Sequence, residues 1–282
     1  MSYRKKHVKN KIGRITPKKS IFTKLWFWLA LLFIAVVLSA FYFVLFYPGI
    51  QVKNIIVSGN EKVKTQELQS FVFSNARTGL INFWKINISS ESIILVDLDR
   101  LAKEILEKFP LIEKLKIDKN FPQTITLGVI ERKPLGVFCD AENRCSLIDQ
   151  NGIIFESLSA APENITIVRQ AMNNDQVFTG EEAIAKNMTD AIYKIQKSLK
   201  DNFQIDLKEA LITSPVRLNI KTGENWQIYF DLNADYDINS QLIKLNLLLN
   251  GEISQDSRKN LRYIDLRPKD RAIICDNSAC GG

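Results

Sequence analysis

Histidine is nearly absent from this chain of 282 residues; the only one is His7. Everything beyond the first few positions therefore lacks the imidazole that a Ser-His-Asp or Cys-His nucleophile requires, and histidine-ligated zinc is excluded there for the same reason. No glycine-rich phosphate loop occurs, and no Ser-x-x-Lys opens a convincing acylation site. Asp97 and Asp99 are paired carboxylates, but a helix N-terminus favours them for charge reasons alone. Acidic residues are missing from the first 60 positions, which hold ten Lys or Arg. Beyond them 28 basic residues face 31 acidic ones. The net charge of +7 is thus a property of the N-terminal segment, not a diffuse basicity, which argues against nucleic acid as a partner. These absences point away from an enzyme and imply no cofactor.

Long apolar runs are scarce too, and the single one stands out. Leu25 to Tyr47 is 23 residues with no charge, Pro or Gly. As a helix at 1.5 Å per residue it would measure about 35 Å, enough to cross a bilayer. Trp26 and Trp28 at one end and Tyr42 and Tyr47 at the other suit the two interfacial belts. Lys18, Lys19 and Lys24 flank its start, so the basic tail is expected in the cytoplasm and the remainder outside. A cleaved signal peptide would end its apolar core at a small-residue site; Ser39-Ala40 is a poor one, and the run continues past it. The expectation is a single-pass protein of the cytoplasmic membrane. Residues 1–24 form a disordered basic tail with affinity for anionic lipid, and 25–47 form the transmembrane helix.

The fold expected after Pro48-Gly49 is α+β. Val52, Ile55 and Val57 begin a strand closed by Ser58-Gly59-Asn60. Thr65 caps a helix bearing Leu68, Phe71 and Val72, broken at Thr78-Gly79. Asp97 caps a second helix with Leu98, Leu101, Ala102, Ile105 and Leu106 at helical spacing. Leu115 and Ile117, then Ile125, Leu127 and Val129, alternate as half-buried strands around a turn at Lys119–Pro122. The order strand, helix, helix, strand, strand suits a two-layer unit over 50–133. From Pro134 to 275 the pattern is a second α+β domain, richer in strand. Its strands are expected near 135–139, 145–148, 153–155, 165–168, 210–213, 216–220, 226–230, 262–266 and 271–274. Thr179 with Glu182 reads as a capping box opening a long helix through Ile184 to Leu199. Another helix carries Leu242, Leu245, Leu248 and Leu249.

Several segments carry a family resemblance. "VKNIIVSGNEKV" follows the membrane run. "FPLIEKLKIDKNFPQTITLGVIERKP" closes the first domain with its "FP" turn and Glu131 to Pro134. "SLIDQNGIIFE" opens the second domain, and "YIDLR" occupies Tyr263 to Arg267. In this order and on this topology the chain resembles the FtsQ/DivIB family of bacterial cell-division proteins from about residue 20 to 275. The resemblance implies a POTRA domain over 50–133, an FtsQ-type β domain over 134–275 and a C-terminal tail over 276–282. It implies a non-enzymatic scaffold at the division septum, with FtsB-like and FtsL-like partners through which septal peptidoglycan synthesis is positioned. In the family the last strand presents an edge to which a partner adds a strand. The matching positions are Lys269, Asp270, Arg271, Ala272, Ile273 and Ile274. Pro268, just before them, has no N–H for such a ladder. Without the resemblance, Arg271 to Ile274 reads only as the closing strand of a sheet. A different class of reading is a POTRA-bearing envelope protein in export or chaperoning, although the alternating strands of a porin-type translocator are missing.

The four cysteines all follow the membrane run, where disulfides form. Three connectivities are open. Local pairs, Cys139–Cys145 and Cys275–Cys280, are favoured. A cross pairing of first and last strands and a Cys₄ zinc site are the alternatives, the latter at the edge of the usual ligand spacing.

Overall fold

Leu25–Phe46 forms the first helix, α1, and it is long and apolar enough to cross a membrane. Most of its side chains are exposed, and Leu45, near its end, is its one buried residue. The computed structural model describes residues 24–83, 86–162, 165–171, 177–233 and 237–277. The basic tail, apart from Lys24, and the last five residues lie outside them. Pro48 ends the helical run, and Pro48–Ile50 make one tight turn. The chain beyond is mixed α+β with large sheets.

The first unit comprises β1 (Asn54–Ser58), α2 (Thr65–Asn75), β2 (Thr78–Phe83), β3 (Ile86–Ser90), α3 (Leu98–Lys108), β4 (Ile112–Asn120) and β5 (Thr124–Glu131). β5 is central in its sheet, parallel to β1 and antiparallel to β4. Alternation puts Ile125, Leu127 and Val129 on one face, where they pack with Ile55 and with Leu68, Val72, Leu101 and Ile105 of the two helices. Asp97 caps α3, its carboxylate accepting from the N–H groups of Asp99 and Arg100 at 3.1 Å. Thr65, expected as a cap, is instead the first helical residue. Its hydroxyl is taken by Asn60 Nδ2 at 3.0 Å, which leaves the helix N-terminus without a side-chain cap. The expected turn is also shorter, since Lys119 and Asn120 still pair with Ile125 and Thr124. A β2–β3 hairpin lies between the helices, where the sequence pattern shows only the helix break at Thr78-Gly79.

The second unit is a nine-stranded sheet with two helices. Its strands are β6 (Gly136–Cys139), β7 (Cys145–Ile148), β8 (Ile154–Leu158), β9 (Ile167–Gln170), β10 (Leu207–Ser214), β11 (Arg217–Thr222), β12 (Gln227–Asp231), β13 (Leu261–Asp265) and β14 (Ile273–Asp276). The helices are α4 (Lys186–Phe203) and α5 (Ile238–Gly251). Strand order is β14-β13-β12-β11-β10-β9-β6-β7-β8. Met188, Ile192, Ile195 and Leu199 of α4 and Leu242, Leu245 and Leu249 of α5 bury the helix-facing residues of the sheet, Trp226 and Phe230 among the core side chains. The expected capping box fails. α4 starts only at Lys186, and Thr179 and Glu182 lie in the loop before it. That loop spends its backbone groups sideways: Gly180 N–H donates to Ile154, Ile154 N–H to Glu181, and Ala183 N–H to Gly152. Gly152 has φ +78°, and a Cβ there would sit 1.9 Å from the Ile184 carbonyl, so only glycine admits this approach.

The two units join at Glu131 and Arg132, adjacent charges that bond to different partners rather than to each other. The Glu131 carboxylate accepts the N–H groups of Glu61, Lys62 and Val63 at 2.8–3.0 Å, within the first unit. Arg132 reaches across to Asp149 and also donates to the Pro110 carbonyl at 2.9 Å. Glu131 is the last residue of β5 and stays with its own unit, whereas Arg132 begins the connection and turns to the second.

Candidate partner-binding edge

Among the described residues β14 is the terminal strand of the nine-stranded sheet, laddered to β13. The register pairs Asp265 with Ile273, Ile264 with Ile274, and Tyr263 with Cys275. Of the six positions expected as an edge strand, only Ile273 and Ile274 are in it; β14 runs on to Asp276 instead. Lys269, Asp270, Arg271 and Ala272 form the loop that brings the chain back from β13. The physical reason is a lysine on another element. Lys244 of α5 extends its ammonium into this loop and donates to the carbonyls of Pro268, Lys269 and Arg271 at 2.7, 3.0 and 3.1 Å. Successive carbonyls of a strand point to opposite sides, so the Pro268 and Lys269 carbonyls that converge on one ammonium are out of strand geometry.

Alternation sorts the edge into two faces. Ile264 and Ile274 turn toward the helices, Ile274 packing against the main core with Ala272. Tyr263, Asp265, Ile273 and Cys275 occupy the other face. There Tyr229 and Tyr263 meet with ring centroids 5.3 Å apart. The Arg267 guanidinium lies 5.3 Å from the centre of the Tyr229 ring and donates to both oxygens of Asp265, at 2.8 and 2.6 Å. Burial by itself raises the Asp265 carboxyl, but the Arg267 side chain and N–H more than offset this and hold it below the ordinary carboxylate value. The same contact raises the guanidinium. The edge therefore carries a fixed aromatic and ion-paired strip next to Ile273, whose exposure is 41%. On α5, one turn apart and flanking Lys244, Ile243 and Leu247 stand 60% and 69% exposed.

The Asp265–Arg267 pair and Tyr263 fall at alternate positions of "YIDLR", a spacing from which their shared face was readable. The Lys244 clamp and the Tyr229 contact come from other elements and leave no mark in local sequence. Cys139 and Cys145 face each other across β6 and β7 and are disulfide-bonded, so neither is a free thiolate for zinc. Cys275 is buried and disulfide-bonded as well; the expected partner, Cys280, lies outside the described residues. Among the described residues no three His, Cys, Asp or Glu side chains are gathered as metal ligands. No protein-family model and no curated protein matches this chain.

Proposed function

We propose that this chain is a membrane-anchored scaffold of the FtsQ/DivIB type, acting in bacterial cell division without enzymatic chemistry of its own. In this reading α1 crosses the cytoplasmic membrane with the basic tail inside, the first unit is a POTRA domain, and the nine-stranded unit is the FtsQ-type β domain at the septum. An FtsB-like partner adds a strand beside Ile273 and Ile274, and an FtsL-like protein joins through it to position septal peptidoglycan synthesis. The observation that supports this best is the strand order, which ends on β14 with no further strand beyond it among the described residues.

Added strands bind through backbone groups, so the test is made on the backbone. Successive residues of a strand aim their N–H groups in opposite directions in the sheet plane. Of Ile273 and Ile274, one therefore donates outward and the other toward β13. Ile273→Pro and Ile274→Pro are each purified as full-length protein with FtsB-like and FtsL-like proteins of the same organism. The expected result is that the outward-donor variant keeps its circular dichroism spectrum and loses co-purification. Equal binding by the wild type and both variants moves the site away from β14. If the wild type captures neither partner, the division assignment falls and the export reading replaces it.

A further inference from the structure

The C-terminal end of α1 runs straight into the first unit, without a tether. Buried Ser90 donates its hydroxyl to the Leu45 carbonyl at 2.6 Å. Ile93 N–H donates to Ile50 and Val52 N–H to Glu91, both at 2.9 Å. Gln123 closes the clasp, its side-chain amide donating to the Pro48 carbonyl at 2.9 Å while its own carbonyl accepts from Lys53 N–H at 2.9 Å. Residues 45–53 are thus held by two separate segments of the unit, 90–93 and the β4–β5 turn.

Topology identifies which end of the unit this is. β1 and β5 run parallel from the pair Asn54–Thr124, so both lead away from α1. The second unit follows β5 at the far end. The end that faces α1 is therefore made of the segment before α3 and the turn around Phe121. Large apolar side chains are exposed here: Phe121 at 63% and Ile94 at 47%. Cations flank them. Lys53 is exposed, and Lys119 donates to the Ile94 carbonyl at 3.1 Å. The nearby acids are Asp97, which faces Lys119, and Glu91, which is engaged by Arg77 at 2.7 Å.

We propose that Phe121 and Ile94, flanked by Lys53 and Lys119, seat the first unit on the headgroup region of the bilayer that α1 crosses. The proposal rests on α1 being a membrane span. Phenylalanine and aliphatic side chains on a membrane-facing surface bury at the boundary between headgroups and acyl chains, lysine stems lie along it, and their ammonium groups reach lipid phosphates. With the backbone clasp, this second contact fixes the tilt of the unit on the membrane.

The test places p-benzoylphenylalanine singly at Phe33, Ile94, Phe121 and Ile243 of the full-length chain, in nanodiscs of phosphatidylethanolamine and phosphatidylglycerol. Irradiation and mass spectrometry then read covalent lipid adducts. Phe33 reports on α1, and Ile243 is an equally exposed apolar site on the distant α5. The expected result is lipid adducts at Phe33, Ile94 and Phe121 and none above background at Ile243. Adducts at Phe33 without any at Ile94 or Phe121 overturn the seating while leaving α1 as a span. No adduct at Phe33 removes the span and the proposal with it. A crosslink from Phe121 to a second copy of the chain, in place of lipid, makes the patch a self-interface and overturns the bilayer as its occupant.

Discussion

The two large sheets of this protein treat their edges differently. In the three-stranded sheet, β4 presents Lys114, Lys116 and Asp118, with Lys116 and Asp118 ion-paired at 3.0 Å. A strand approaching that edge would have to displace water from these charges. On the opposite edge, Gln69 of α2 donates to the Ile55 carbonyl at 2.8 Å and occupies a group a new strand would need. In the nine-stranded sheet, β8 is covered at Ile154 by the loop at Gly180–Glu181. At Ile273 and Ile274 of β14 the side chains are uncharged. Geometry alone makes every terminal strand an edge; the chemistry around it decides which one invites pairing.

The largest expected effect attacks the sheet that carries β14. Trp226 is fully buried in the core of the second unit, its indole N–H bonded to Glu224 at 2.9 Å. Trp226→Ala should cost about 3–5 kcal/mol, seen as a fall in the denaturant midpoint of the second unit. The two cores are separate clusters, so the first unit should keep its transition. A joint shift would make the two sheets one cooperative block and undo the comparison.

Next comes the joint between them. The Arg132 and Asp149 side chains are only 13% and 5% exposed, and Asp149 also accepts from Asn151 and Ile153 N–H at 2.9 Å. Asp149→Ala strands a buried guanidinium and should cost about 3 kcal/mol, with faster proteolysis around residues 132–135 as the specific readout.

A smaller effect sharpens the edge argument directly. Lys114→Ile combined with Lys116→Ile gives β4 an uncharged face, with about 0.5–1 kcal/mol per new cross-strand pair available to an incoming strand. Sedimentation should show concentration-dependent self-association absent from the wild type. A monomeric double variant would mean that charge is not what guards β4.

The smallest effect concerns Glu131. Burial raises its carboxyl, but the N–H groups of Val63, Lys62 and Glu61, with the charge of Lys62, outweigh it and leave the pKa lowered. A depressed carboxylate stabilises the fold above its unfolded pKa and loses that contribution as pH falls through the folded value. Glu131→Gln should cost about 1 kcal/mol at neutral pH, and the gap from wild type should close on acidification below the ordinary carboxylate range. A pH-independent gap would assign the effect to packing.

Much of the strand pattern was legible because alternation is local. Ile125, Leu127 and Val129 announced a buried face, and the strands at Cys145–Ile148 and Gln227–Asp231 sit where their apolar residues place them. The misses share a cause. Thr179 and Glu182 carry a sound capping pattern, but the loop's backbone groups bond to Gly152 and Ile154, residues whose proximity no local window contains. Arg271 and Ala272 read as strand by their pattern, and Lys269 and Asp270 by the family resemblance, but Lys244, far back in the chain, gathers the carbonyls of Pro268, Lys269 and Arg271.

By itself the sequence determined the apolar helix at Leu25–Phe46, the confinement of surplus positive charge to the N-terminal segment, the α+β class and the faces of individual strands. Each follows from composition or from a period of a few residues. Tertiary structure alone decided the nine-strand order, the position of β14 at its end, the Lys244 clamp that shortens that strand, and the clasp of Ser90 and Gln123 on the end of α1. Those depend on backbone groups distant in sequence finding partners, and only the folded chain sets which donors and acceptors remain for them.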